Sequence, residues 1–145
     1  MKITVEYDPA AENEVVLRCA SLDDEMLRVL SLLRAELQRL CVWDEERRLH
    51  LLTPSQLIYA ETVEDKTFIC TAGAIYQTAL GLGELEGRFA AVGLFRANKS
   101  TVVNLHHIKS LQSCGAGRIQ ADLATGEKLM VSRRYAPLLR ERLGL

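Results

Sequence analysis

No run of this chain is apolar for long enough to cross a bilayer. The longest uncharged stretch, residues 67–83, is interrupted by Thr, Gln and Gly and falls short of the roughly 20 apolar residues that a spanning helix requires. The N-terminus carries Glu6, Asp8, Glu12 and Glu14 with no apolar segment behind a basic start, so no secretory signal is expected and the cytoplasm is the expected location. There is no C-x-x-C pair either. Cys19, Cys41, Cys70 and Cys114 stand 22, 29 and 44 residues apart, a spacing that supports neither a zinc ribbon nor a dithiol redox site. They are expected as reduced and mostly buried thiols. No internal repeat and no low-complexity tract interrupts the 145 residues. That length suits one ordinary domain, or a small domain with an appendage, and a core large enough to need no metal or disulfide. Hydrophobic residues at 48% beside 26% charged ones exclude general disorder.

A strong charge of one sign is missing as well: the net charge is −1. Its distribution is uneven. From Arg88 to Leu145 there are ten cations and three anions, which leaves eight cations and sixteen anions for residues 1–87. A basic half joined to an acidic one points to a polyanion partner for one face. A solvated basic face produces the same polarity.

Ile3, Val5 and Tyr7 alternate, and Val15-Val16-Leu17 follows after Asp8-Pro9-Ala10-Ala11, so two short strands around a loop are expected. Ser21 then reads as the cap of a helix with Asp23, Asp24 and Glu25 in its first turn. Along that helix Met26, Leu30, Leu33, Leu37 and Leu40 are spaced 4, 3, 4, 3, a heptad seam about two heptads long. Packing on its own domain and self-association both fit it.

The charged connector from Trp43 to Arg48 is the expected boundary between an N-terminal strand-helix segment, residues 1–45, and a second unit, residues 46–145. Beyond it, strands are expected at 49–52, 57–60, 67–72 and 74–78, then a short helix at 80–89 weakened by Gly81, Gly83 and Gly87. A hairpin joins 108–111 to 118–123 across Cys114-Gly115-Ala116-Gly117, Thr125-Gly126 turns into 128–131, and a helix closes the chain at 135–143. The fold class is α+β, mostly β: a short α/β lead before an antiparallel β unit.

Function-bearing chemistry is concentrated in Phe95-Arg96-Ala97-Asn98-Lys99-Ser100-Thr101-Val102-Val103-Asn104-Leu105 and in Val131-Ser132-Arg133-Arg134-Tyr135. Both mix cations with small hydrogen-bonding residues beside apolar anchors, which suits gripping phosphates and reading base edges. The pattern Phe-x-Arg-x-x-x-Ser-x-x-Val-Asn-Leu, a hairpin, then Gly126 and Val131 to Tyr135, resembles the LytTR DNA-binding domain of bacterial response regulators. Ile58-Tyr59-Ala60-Glu61 matches the apolar-aromatic run of that family's first strand, and the resemblance covers about residues 46–145.

The resemblance implies an elongated set of small β-sheets, with loops placed in successive major grooves of double-stranded DNA at a repeated site. It implies contacts from the turn at Lys66 and Thr67, from Asn98, Lys99 and Ser100 with Arg96 beside them, and from Arg133 and Arg134. Arg can read guanine bidentately, whereas Lys99 and Ser100 suit phosphates. Asn104, set between Val103 and Leu105, reads first as a structural residue bonding its own loop. Arg96 stays open between packing or salt bridging and a phosphate contact. Glu64 and Asp65, directly before Lys66, would oppose phosphates. About 45 N-terminal residues cannot hold a phosphoacceptor domain. The resemblance is therefore to short stand-alone regulators, often encoded beside a small membrane protein of four helices. It implies activity set by a partner, such a membrane protein being one, or by oligomerisation, and with the heptad seam a homodimer is expected.

An enzyme is not expected, and neither is a cofactor or a metal. Adjacent His106 and His107 point to opposite sides of a strand or turn, His50 lacks metal-ligand spacing, and Gly81-Leu82-Gly83 lacks the rest of a phosphate loop. The alternative is a non-catalytic dimeric interaction module whose basic half binds an acidic protein.

Overall fold

The computed structural model describes residues 1–145. Helix α1 (Asp24–Leu37) precedes strands β1 (Leu40–Trp43), β2 (Leu49–Leu52), β3 (Tyr59–Val63), β4 (Lys66–Cys70) and β5 (Ile75–Thr78). Helix α2 (Leu82–Phe89) follows, then β6 (Leu94–Asn98), β7 (Thr101–Asn104), β8 (Ile108–Ser113), β9 (Ile119–Leu123), β10 (Lys128–Val131) and α3 (Ala136–Leu143). All strand pairs are antiparallel. They build a seven-stranded sheet in the order β2-β1-β5-β4-β3-β7-β6 and a three-stranded sheet in the order β10-β9-β8. The expected α+β, mostly β class is what the chain adopts.

Period-two alternation decides which of two cores each residue enters, because successive side chains of a strand point to opposite faces. Val102 faces one way with Leu94, Ala60 and Ile69, and packs under Leu82, Leu85 and Phe89 of α2 and Ala35 of α1. Its neighbour Val103 faces the other way with Phe95, against Ile119, Ala121 and Leu123 of the small sheet and Ala136 and Leu139 of α3. The β6–β7 hairpin is therefore apolar on both faces and divides the two cores.

The N-terminal lead departs from expectation. Residues 1–23 form no strand, and Ile3, Val5 and Tyr7 are 87%, 88% and 90% exposed. Alternation alone makes no strand where no edge is offered for it to pair with. Asp23, not Ser21, caps α1, its Oδ1 accepting from Met26 N–H at 2.9 Å. The helix stops at Leu37, so Leu40 leaves the seam and is buried in β1 instead. The charged connector is the turn of the β1–β2 hairpin, so the large sheet begins ahead of it. There Asp44 Oδ1 accepts from Glu46 and Arg48 N–H and Asp44 Oδ2 meets His50 Nε2 at 2.9 Å. The His50 bond, helped by those amides, holds the Asp44 carboxyl below its usual range. The thiols also differ from expectation: only Cys70 is buried, while Cys19 and Cys41 are exposed. No helix is long and apolar enough to cross a membrane.

Asn104 is structural, as its apolar flanks indicate. It is 1% exposed, its Nδ2 donates to Leu57 O at 2.9 Å, and its Oδ1 accepts from His106 N–H at 3.1 Å. Gly93 makes room for this knot. At φ +108°, a Cβ there would stand 3.0 Å from Asn104 Oδ1 and 2.7 Å from the His106 ring, in a backbone region that favours glycine. Asn104→Ala is expected to cost about 1–3 kcal/mol in chemical denaturation, since Leu57 O loses its buried donor. A cost below about 0.5 kcal/mol, the range of an ordinary surface substitution, would contradict the assignment.

Candidate nucleic-acid interface

Three cation-bearing segments meet at one end of the large sheet. The β3–β4 hairpin closes through Glu64 and Asp65, and the β6–β7 hairpin through Lys99 and Ser100. Because β3 pairs with β7 and Glu61 stands opposite Thr101, the two turns are neighbours, tied by Thr62 N–H donating to Ser100 O at 3.0 Å. The third segment follows β10. Ser132 N–H donates to Ala97 O at 2.9 Å, and Asn98 Nδ2 donates to Met130 O at 2.8 Å. These two bonds hold the Arg133-Arg134 segment beside the β6–β7 turn.

The eight candidate residues divide by exposure and partners. Lys66, Lys99, Ser100, Arg133 and Arg134 are exposed. Arg134 lies over the Tyr135 ring, its Cζ 5.3 Å from the centroid, a contact that restrains its direction. Thr67 is 6% exposed and sits within the sheet opposite Thr78, which leaves it little surface. Arg96 is half-buried. Its Nε donates to Asn98 O at 2.8 Å and its Nη2 to Lys99 O at 2.6 Å, so the guanidinium braces the turn from inside. The Asn98 Oδ1 accepts from Ser100 N–H at 2.9 Å and Ser100 Oγ at 3.1 Å, in addition to its Nδ2 bond to β10. Arg96 and Asn98 thus fix the loop that presents Lys99 and Ser100.

The acids of the first turn are exposed, with φ of +52° at Glu64 and +63° at Asp65. A two-residue hairpin loop with both φ positive is the type I′ turn, which favours Asn-Gly. Here it places two carboxylates ahead of Lys66.

Sequence reasoning missed a fourth element. The β8–β9 turn lies at the same end, since Ile119 pairs with Val131 just before Arg133. It carries exposed Arg118, and Gly117 lies directly beneath the Arg133 stem. A Cβ at Gly117 would stand 2.8 Å from Arg133 Cγ and 3.2 Å from Cδ, at φ +76°. The Gly-Ala-Gly turn was legible as a turn; its role as the seat of an arginine 16 residues later rests on the β9–β10 register, which no local pattern gives. No group of three or more His, Cys, Asp or Glu stands close enough to hold a metal ion. Two open cavities, about 320 and 280 Å³, border α1. Neither is lined by a residue of these turns. What this end can do chemically is bind a polyanion.

Comparison with known proteins agrees with that chemistry. The model of the LytTr DNA-binding domain family matches residues 47–144. A sensory transduction protein LytT from Enterococcus faecalis is 26% identical over 100 residues, 69% of this chain. The match spans 41% of that relative's length. Among solved structures, the LytTr DNA-binding domain of a Bacillus cereus protein described as a methyl-accepting/DNA response regulator superimposes with a TM-score of 0.70 at 22% identity. That match covers 74% of this chain and 98% of the other.

Gly117→Ala is expected to push the Arg133 side chain off its seat. In competition binding between a preferred and a scrambled duplex, discrimination should fall by about 1 kcal/mol, the low end of one arginine–guanine contact, with scrambled-duplex affinity unchanged. Equal discrimination in the variant and the wild type would remove this role for Gly117.

Proposed function

The chain belongs to the LytTR family of DNA-binding domains, and on that footing we propose that it is a sequence-specific transcriptional regulator. Its exposed turns enter successive major grooves of a repeated double-stranded site. The observation that carries this reading is the convergence of Lys66, Lys99, Ser100, Arg133 and Arg134 on one end of the sheet, held there by the β3–β7 pairing and by the Asn98–Met130 and Ser132–Ala97 bonds. Arg133 and Arg134 read base edges, Lys99 and Ser100 hold phosphates, and Lys66 adds a weaker phosphate contact behind its two acids. Arg96, Asn98 and Thr67 shape the turns that carry these contacts.

The protein acts as a homodimer in the cytoplasm, binding rather than catalysing. Residues 1–45 serve as its dimerisation or regulatory element, with β1 (Leu40–Trp43) belonging to the sheet as well. Input comes from a partner, a small membrane protein being the kind this reading favours, rather than from phosphorylation of this chain.

Gel shifts and footprints on the promoter of its own operon test the reading. A protected, preferred site is expected, and equal binding to all DNA would refute sequence-specific regulation. Binding to an acidic protein with none to DNA would favour the interaction-module alternative. Within a specific-binding assay, Arg134→Ala should relax base preference by about 1–3 kcal/mol at one position. Lys99→Ala should instead weaken all sequences alike and lower the salt slope by about 1. If both substitutions were neutral, the assignment of roles would fail.

The first turn supplies a gain-of-function test. Replacing Glu64-Asp65 by Asn-Gly removes two carboxylates and relieves two positive-φ residues. Duplex affinity should rise at every sequence, most at low salt, with the preferred site unchanged. Unchanged affinity would mean that this turn stays clear of the DNA.

A further inference from the structure

Arg118, in the β8–β9 turn, stands at the basic end with no partner in the chain. It is exposed, and the cations of the chain's ion pairs are Arg48, His50 and Lys128. The arginine side chains that donate hydrogen bonds are Arg48, Arg96 and Arg142. Along its own strand the nearest acid is Asp122, four residues on and about 13 Å away at the usual rise. That carboxylate is already engaged by Lys128, Ser110 and Gln120. No Asp or Glu occurs between Glu86 and Asp122, or between Glu127 and Glu141. The segments that build this end therefore hold cations without counterions of their own.

The turn also leaves backbone donors open. Cys114 N–H donates to Arg118 O at 3.0 Å and Arg118 N–H to Gly115 O at 3.1 Å, whereas the N–H groups of Gly115, Ala116 and Gly117 find no acceptor. Small residues keep these groups within reach, and nothing lies within 4 Å of where a Cβ would stand at Gly115. A guanidinium and exposed backbone N–H groups are the donors that a phosphate takes. We propose that the β8–β9 turn is a further DNA contact, binding a backbone phosphate through Arg118 with the open N–H groups of the turn as additional donors. This rests on the regulator reading and adds to it a fourth loop and the class of its contact.

Placement favours phosphate over base. Ile119, Ala121 and Leu123 enter the core, so alternation carries Arg118 to the outer face of the small sheet with Gln120 and Asp122. Arg133 instead rises over Gly117. The two arginines diverge from one hairpin end and serve separate contacts. Arg134 is aimed by the Tyr135 ring and Arg133 by its glycine seat, as a bidentate base contact requires. Arg118 has neither a ring nor a bonded partner to aim it, which a phosphate contact tolerates.

Anisotropy titrations of the full chain on its footprinted duplex and on a scrambled one test this. Arg118→Ala should weaken both duplexes by the same factor and lower the salt slope by about 1. The wild-type advantage should then be about threefold larger at about 50 mM than at about 200 mM salt. Arg118→Lys, which keeps the charge, should retain the wild-type slope. Chemical denaturation without DNA should give Arg118→Ala the wild-type midpoint, because the side chain holds nothing within the chain. An unchanged slope in Arg118→Ala, a loss confined to the footprinted duplex, or a drop in stability that accounts for the lost affinity would each overturn the contact. A wild type with equal affinity for every duplex refutes sequence-specific regulation alone, since the Arg118 effect is still read on scrambled DNA. A wild type that prefers its site while Arg118→Ala is neutral refutes the contact alone, and one that binds no DNA refutes both.

Discussion

Two hydrogen bonds, from Ser132 N–H to Ala97 O and from Asn98 Nδ2 to Met130 O, join the small sheet to the end of the large one. The convergence of the basic turns depends on that join. The shared core of Phe95, Ala97, Val103, Ile119, Ala121 and Val131 already packs the two sheets together, and these bonds fix how Lys99 stands relative to Arg133 at the edge of that core. Asn98 is well suited to the task because one amide satisfies both sides: its oxygen closes its own turn on Ser100 while its nitrogen reaches β10. Arg96 completes the brace by donating to the carbonyls of Asn98 and Lys99. These are the residues that look most like ligand contacts by type, and their donors and acceptors are largely engaged within the protein.

The join can be rigid because the hairpin beneath it is apolar on both faces. Val102 and Leu94 go to one core, Val103 and Phe95 to the other, and a one-residue slip in register would exchange the two sets. The turn at its tip thus inherits its position from two packed layers. At the opposite end of β7, Asn104 fixes the exit by bonding Leu57 O and His106 N–H. The hairpin is pinned at both ends by asparagines whose side chains replace missing backbone partners.

How much of this was legible in the sequence depends on how far each pattern reaches. The hairpins were readable because their signals are local: Gly126 after Thr125, Gly115 to Gly117, and the alternation on either side. Asn104 was readable as structural from its apolar neighbours. The N-terminal alternation of Ile3, Val5 and Tyr7 gave a false strand, because a strand needs a partner edge and local pattern cannot supply one. Leu40 fitted the heptad numerically yet belongs to β1, since a helix ends where its backbone bonds end and not where its periodicity stops. The Gly117 seat and the Asn98–Met130 bond were invisible because each spans two hairpins. Of the candidate site, the exposed cations were found by residue type, but their convergence needed the register of β3 on β7 and of β9 on β10.

The net charge of −1 does not conflict with DNA binding once charge is placed on the sheet. Along the end that carries the turns, Lys99, Arg133, Arg134 and Arg118 cluster at the β6–β7 and β8–β10 side. One strand over, the β3–β4 turn places Glu64 and Asp65 ahead of Lys66. The β1–β2 turn with Glu45 and Glu46 lies toward the opposite end of the sheet, since Trp43 stands opposite Gln77 and the antiparallel chain then runs toward Ile75 and Cys70, away from Thr78 and Thr67. At the basic end the field therefore falls from the Arg133 side toward the β3–β4 turn, one strand spacing from β7. A polyanion approaching this end would be drawn to the β6–β7 and Arg133 side and turned from Glu64 and Asp65. The acids of that turn thereby help to orient a polyanion, while Glu45 and Glu46 add to the acidic half at a distance from the basic turns.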